Sequence, residues 1–237
     1  MQRLADGGYV IGDEMAIDGE GTSHFTFSRG WLLEVVELAG GDYFFYRDGT
    51  EVRPPGRRFG VFYPPFNLIR CFARDIKGRV RGIGSVEAFS QLPNAPFIFE
   101  TDFSDDFSCV NQAFDVLNSC RNRQSIEINT KPSLTSLKAK RLIDENFHVY
   151  PSISRIAGRL NVSPVHLSRQ FKRDYGLSPS AYLHQLRVAE ATFRLSLGEE
   201  IIDISQEVGY NDLSRFYKQF RKATRTSPAV CRTMIAK

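Results

Sequence analysis

At 237 residues, with 42% hydrophobic and 12% aromatic content, the chain has ample material for one or two packed domains. No run of eighteen apolar residues exists, and Met1-Gln2-Arg3-Leu4-Ala5-Asp6 lacks the charged-then-apolar layout of a signal peptide, so a soluble, cytoplasmic protein without membrane association is expected. The net charge of +4 conceals a split: residues 134–237 carry 17 Lys and Arg against 9 Asp and Glu, while residues 1–133 carry 14 against 18. A basic half beside an acidic half is what a polyanion-binding module fused to a different kind of module would show.

Residues 1–121 read as β structure followed by one helix. Trp31 to Leu38 and Asp42 to Arg47 are expected strands joined through Gly40-Gly41, and Asp48-Gly49 makes a second hairpin turn into Thr50 to Arg53. Phe59 to Tyr63, Leu68 to Ala73 (ending at Lys77-Gly78) and Val80 to Val86 follow as short strands, with Pro54-Pro55-Gly56, Pro64-Pro65 and Pro93-Asn94-Ala95-Pro96 as loop punctuation. Frequent turns between short strands suggest a small antiparallel barrel or sandwich. Fourteen of the nineteen Phe fall in residues 1–133. Phe44, Phe45, Phe59, Phe62 and Phe72 fill a core on one reading and line an apolar effector pocket on the other.

Catalysis has little to stand on here. A metal-dependent barrel needs clustered His and carboxylate, and this half has only His24. A Ser/His/Asp arrangement would also have to use His24, and no Gly-x-Ser-x-Gly supports it. Cys71, Cys109, Cys120 and Cys231 are widely spaced without a C-x-x-C, which argues for free thiols rather than a zinc or disulfide framework. No cofactor and no metal are expected. A helix is expected from Asp105 to about Arg121, where Phe107, Val110, Phe114 and Leu117 form an apolar seam that either packs on the barrel or pairs two chains. Residues 122–133 are polar, contain a Pro, and read as a linker.

Residues 134–237 read as helices: Leu134 to Phe147, Ile153 to Leu160 capped by Ser152, Pro164 to Tyr175, Pro179 to about Leu197, Ile201 to Val208, Asp212 to Ala223, and Pro228 to about Ile235. Between the second and third, Asn161 tolerates positive φ, Ser163 is a good N-cap, and Pro164 takes the first helical position. Leu167 and Phe171 lie four apart on a buried face; Val165, Ser168, Arg169 and Lys172 share the opposite stripe. The chain repeats this unit 48 or 49 positions later. Gly209 then stands for Asn161, Asp212 for Ser163, and Phe216 and Phe220 for Leu167 and Phe171.

The run from Ile204 to Pro228, with Gly209-Tyr210, Phe216-Tyr217-Lys218-Gln219-Phe220-Arg221-Lys222 and Ser227-Pro228 followed by Arg232, resembles the signature of the AraC/XylS family of bacterial transcription regulators. The resemblance covers about Leu134 to Arg232, with Arg225 where a Gly is usual and Cys231 where a Tyr is. It implies a double helix-turn-helix DNA-binding domain joined by a long helix, an α+β chain overall, and a cupin-like regulatory half. It also implies activation in concert with RNA polymerase, a homodimer or small-molecule effector in some members, and base reading at Val165, Ser168, Arg169, Ser214, Arg215 and Lys218. By side-chain chemistry, Arg169 and Lys218 suit guanine, Val165 suits a thymine methyl, and His166 and Tyr217 reach bases or backbone oxygens. Arg159, Lys172, Arg173, Arg221, Lys222 and Arg232 are phosphate candidates, as are the N–H groups opening the Pro179 and Pro228 helices. The rival expectation is a thiol-reactive or enzymatic N-terminal half carried on the same DNA-binding module.

Overall fold

A computed structural model describes residues 2–3, 8–11, 15–17, 21–25, 31–47, 50–67, 69–85, 95–104, 107–126, 132–149, 152–224 and 226–235. The chain divides into two units, Met1–Ile128 and Asn129–Lys237.

Among the described residues, the first unit is one ten-stranded antiparallel sheet, nearly closed on itself. Its strands are β1 (Gln2–Arg3), β2 (Gly8–Ile11), β3 (Met15–Ile17), β4 (Gly21–Phe25), β5 (Trp31–Arg47), β6 (Thr50–Val52), β7 (Arg58–Tyr63), β8 (Ile69–Ser85), β9 (Phe97–Glu100) and β10 (Arg121–Ser125). Their order is β1-β2-β8-β5-β7-β9-β10, with β3 and β4 also on β8 and β6 on β5.

The expected hairpin turn at Gly40-Gly41 and the expected break at Lys77-Gly78 are both corrected. Each lies inside a continuous 17-residue strand, and β5 pairs with β8 along that length with register shifts at Leu38/Gly40 and Gly40/Asp42. A Cβ on Gly41, whose φ is +86°, would sit 2.5 Å from the carbonyl oxygens of Arg74 and Asp75; one on Gly78 would sit 2.4 Å from that of Glu37. These glycines let two backbones close on each other at a bulge, where a strand bends without ending. Asp48-Gly49 lies outside the described residues, and Arg47 pairs with Thr50 across it.

The bend wraps both arms of β5 around one core. Leu32 and Val36 join Tyr43 and Phe45 on the concave face, together with Phe59, Tyr63, Ile69, Cys71 and Val80. The other face carries Leu33, Val35, Phe62, Ile83, Phe97 and Phe99 and is covered by helix α1 (Val110–Ser119). Gly60 belongs there, and a Cβ on it would lie 2.1 Å from the Phe99 ring. Gly60→Ala is therefore expected to lower the stability of this unit by about 1–3 kcal/mol, the usual cost of overpacking. A thermal unfolding curve that does not move would mean that Phe99 yields freely.

The first helix begins at Val110 rather than Asp105, because Phe107 and Ser108 are not helical and Cys109 occupies the N-cap. The linker also starts later than expected. Arg121–Ser125 pairs with β9, with a register shift between Arg121 and Gln124 and Asn122 at φ 50°. Its Arg-Asn-Arg-Gln-Ser composition suits a solvated edge strand, so polarity alone misled.

The second unit is helical: α2 (Leu134–Asn146), α3 (Ile153–Arg159), α4 (Pro164–Tyr175), α5 (Pro179–Ser196), α6 (Ile201–Glu207), α7 (Leu213–Thr224) and α8 (Pro228–Ile235). The expected boundaries hold within one or two residues because the caps are local chemistry. Ser163 Oγ accepts from the His166 N–H at 3.1 Å, Ser178 Oγ from Ala181 at 3.2 Å, and Asp212 Oδ1 from Ser214 at 2.8 Å. Asn161 and Gly209 make the two turns at φ 53° and 89°. Ser152 differs: it stands at the N-cap of α3 without a side-chain capping bond. Arg225 lies outside the described residues. α5 is the hub, packing against α2, α4, α6, α7 and α8.

Candidate nucleic-acid interface

Helices α4 and α7 are each divided by their own periodicity. In α4, Leu167 and Phe171 are fully buried, while Val165 is 61% exposed and His166, Arg169 and Lys172 face solvent; Ser168 is half-buried. In α7, Phe216 and Phe220 are fully buried, and Ser214, Arg215, Lys218, Arg221 and Lys222 are exposed. Tyr217 is half-buried, its ring edge-on to Phe216 at 6.0 Å. The buried pairs fix helix rotation, so the polar stripe is presented as a consequence of core packing.

The phosphate candidates separate. Arg159, Lys172, Arg221 and Lys222 are exposed, and Arg173 remains 72% exposed while its Nε lies 3.4 Å from Asp174 Oδ1. Arg232 is corrected: it donates to the Glu199 carbonyl and lies 3.8 Å from Glu200, tying α8 to the α5–α6 connection.

Two concavities lie on this surface. One, of about 520 Å³, is lined by Leu213, Ser214, Tyr217, Lys218 and Arg221 along α7. The other, of about 480 Å³, runs from the first turn of α5 (Ser178, Ser180, Ala181) past His184 and Gln185 to Arg215, Gln219 and Lys222. His184 is missed by sequence reasoning. Burial, and then the charges of Arg187, Arg215 and Lys222, push it down to about 4, so it is neutral at physiological pH, with its Nδ1 2.9 Å from the Tyr210 hydroxyl. A cleft whose cations suppress imidazole protonation attracts anions. The Ser178-Pro179 pair was the sequence signal for it, through the helix N–H groups.

Arg187 was also missed. It is fully buried, its Nε donating to the Phe147 carbonyl at 2.7 Å and its Nη1 to that of Gly209 at 2.8 Å, with the guanidinium 5.1 Å from the Tyr210 ring centroid. It ties the second helix-turn-helix turn to the end of α2.

In the sheet unit, the five phenylalanines proposed for a pocket do not converge. Phe45 and Phe59 lie on the concave face, and Phe62 lies on the opposite face under α1. Phe44 and Phe72 are cross-strand partners stacked at 4.8 Å, with Arg53 and Arg74 at 5.3 and 5.6 Å from their rings. Strand alternation puts that pair on the face away from Phe45 and Cys71. The α1 seam is likewise occupied. Phe107, Val110 and Leu117 are 4–5% exposed against the sheet, with Phe114 packed beside them, which leaves that stripe no room for a second chain. His24 falls in β4 opposite Arg70, and among the described residues no His, Cys, Asp or Glu cluster could hold a metal. No described helix is long and apolar enough to cross a membrane.

The geometry defines a β-sheet unit followed by a duplicated helix-turn-helix. Residues 156–234 match the helix-turn-helix domain family, and the C-terminal unit belongs to the AraC-type helix-turn-helix domains. It is 35% identical over 81 residues to the lactose operon transcription activator of Staphylococcus xylosus, covering 34% of this chain and 29% of that protein. It is 32% identical over 87 residues to the transcriptional activator RhaS of Pectobacterium carotovorum, covering 36% of this chain and 31% of that one. The match thus spans under a third of either relative. The crystal structure of unsaturated fatty acid-bound ToxT from Vibrio cholerae aligns over 99% of this chain and 98% of ToxT, with a TM-score of 0.55 and 11% identity, a likeness of fold.

Proposed function

We propose that the chain is a cytoplasmic transcription regulator of the AraC/XylS type. Its helical unit binds specific duplex DNA and its sheet unit modulates that binding through a small ligand, a partner or dimerisation. The observation that carries the reading is the pair of helices α4 and α7, each with a buried aromatic or aliphatic spine and an exposed stripe of Arg, Lys, Ser and Val. The 18 residues of α5 extend about 27 Å, of the order of the ~34 Å turn of B-DNA, which suits entry of the two helices into successive major grooves. Val165, Ser168, Arg169, Ser214, Arg215 and Lys218 read bases, with His166 and Tyr217 at the margin. Arg159, Lys172, Arg173, Arg221 and Lys222 meet phosphates.

Activation through RNA polymerase is the favoured mode, as the names of the activator relatives suggest. If the protein pairs as a homodimer, it uses a surface other than the covered α1 seam. The thiol-reactive alternative is disfavoured at Cys71, whose thiol is buried and pushed up to about 11 and so stays protonated.

Arg169→Ala and Lys218→Ala are each expected to weaken binding to the cognate site by ~1–3 kcal/mol and to relax preference at one base position. Lys172→Ala should instead weaken binding uniformly across sequences and reduce the salt slope by about 1. Footprinting followed by mobility-shift titrations measures both. Unchanged affinity and base preference in Arg169→Ala would place α4 outside the major groove.

A further inference from the structure

Helix α7 opens on an apolar residue set in a polar surface. Leu213, its first residue, is 39% exposed, while Asn211, Asp212, Ser214 and Arg215 around it are all polar and exposed. Single exposed apolar side chains are common and need no function. Two observations set this one apart. The equivalent position of the first helix-turn-helix unit is Pro164, whose ring pre-sets the helical φ in the first turn. Leucine brings no such help, and the start of α7 rests on the Asp212 cap. Leu213 is also one wall of the concavity of about 520 Å³ on α7, whose described lining residues all come from this one helix.

The lining divides by chemistry. Leu213 and Tyr217 lie four apart, so they share one flank of the helix. The Tyr217 ring is half-buried, edge-on to Phe216 at 6.0 Å, and packs against the buried cluster that includes Phe216 and Phe220. It is a fixed wall rather than a swinging arm. Ser214, Lys218 and Arg221 form the neighbouring stripe at spacings of four and three, and all three are exposed. Arg215, Gln219 and Lys222 turn instead to the second concavity, towards α5. The first concavity therefore joins an apolar corner to cationic donors.

Phosphates and sugars are met by charges, hydroxyls and N–H groups, and an apolar corner adds nothing to those contacts. On the base edges of the major groove the apolar feature is the pyrimidine C5-methyl group, beside acceptors such as guanine N7 and O6 that suit Lys218. Thymine carries that methyl group, and so does 5-methylcytosine.

We infer that Leu213 and Tyr217 form a cup for a pyrimidine C5-methyl group, so that α7 distinguishes a methylated from an unmethylated pyrimidine at one position of its DNA site. The inference deepens the DNA-binding reading above and rests on it. Leu213 covers the methyl group, the Tyr217 ring backs it, and Lys218 takes up acceptors on a nearby base. Burial of one methyl group corresponds to roughly a fourfold change in affinity.

The test begins with the full chain selecting its preferred duplex from a randomised pool. Lys218→Ala then locates the part of that duplex contacted by α7, through the base position whose preference it relaxes. Mobility-shift titration compares the selected duplex with copies in which each thymine there is replaced by deoxyuridine, or each cytosine by 5-methylcytosine, one at a time. The expected result is a single position where deoxyuridine weakens binding about fourfold, or where 5-methylcytosine strengthens it about fourfold. The first outcome assigns the methyl group to thymine and the second to a modified cytosine. Leu213→Ala should abolish the difference at that position, whereas Leu213→Val, which keeps a branched apolar side chain, should retain it. The modification is made in the DNA, so the wild-type comparison stands even if a variant fails to fold. Equal affinity for every substituted duplex, or a methyl effect that survives Leu213→Ala, would overturn the inference while leaving specific binding in place. A chain that selects no sequence from the pool would remove the DNA-binding reading itself, and this inference with it.

Discussion

Arg187→Ala is expected to unfold much of the helical unit at ambient temperature while the sheet unit persists. The substitution removes both donors from the buried carbonyls of Phe147 and Gly209 and leaves a void under Tyr210. Each stranded acceptor costs about 1–3 kcal/mol, and breaking a buried charged network costs roughly 3–5 kcal/mol in comparable cases. That is a large fraction of the ~5–15 kcal/mol that holds a domain together. The position has no slack to absorb the change, because a Cβ on Gly209 would already meet the His148 carbonyl at 2.5 Å and the Arg187 guanidinium at 2.7 Å. Far-UV circular dichroism during urea unfolding should show the helical signal lost at much lower denaturant. Arg187→Lys, which keeps the charge but not the fork, should fall between. A midpoint equal to the wild type in Arg187→Ala would mean that other groups satisfy these carbonyls.

The second large effect is a pH dependence of the sheet unit. Glu34 is raised from 4.5 to about 7, by burial first, with the Tyr63 hydrogen bond opposing. A carboxyl raised in this way favours the folded state fully below about 4.5, and that favour is lost as the pH rises through 7, because the folded chain then has to give up a proton it holds more tightly. The expected loss across that window is on the order of 3 kcal/mol at most. Glu34→Gln should flatten this part of the profile and leave the unit more stable than the wild type at pH 8. Denaturant midpoints from pH 4.5 to 8 measure it. A wild-type profile as flat as that of the variant would place the Glu34 carboxyl in water.

Legibility divided along the chain. The helical unit was readable almost to the residue, since Ser163, Ser178, Asp212, Asn161 and Gly209 act on bonds within a few positions of themselves. The sheet unit was readable as antiparallel β but not in register. A Gly-Gly pair reads the same whether the strand turns back or bends onward; what decides is the approach of Arg74 and Asp75, more than thirty positions away. Once bulges at Leu38/Gly40 and Gly40/Asp42 reset the alternation, Phe44 and Phe45 could not be assigned to faces from spacing alone. Phe62 was grouped with Phe45 for the same reason, although they lie on opposite sides. Arg187 and Glu34 follow no periodic pattern. Each is a charge at an apolar position, which becomes informative only when its partners from distant strands or helices are known.

α5 contains no glycine or proline after Pro179, and Arg187 rivets its middle to the ends of α2 and α6. The phase between the exposed stripes of α4 and α7 is therefore set by a stiff strut instead of a tether. On the proposed docking of both stripes into successive major grooves, a spacer change of half a helical repeat between the two contacted segments would turn one of them to the far side of the duplex, where this strut cannot follow.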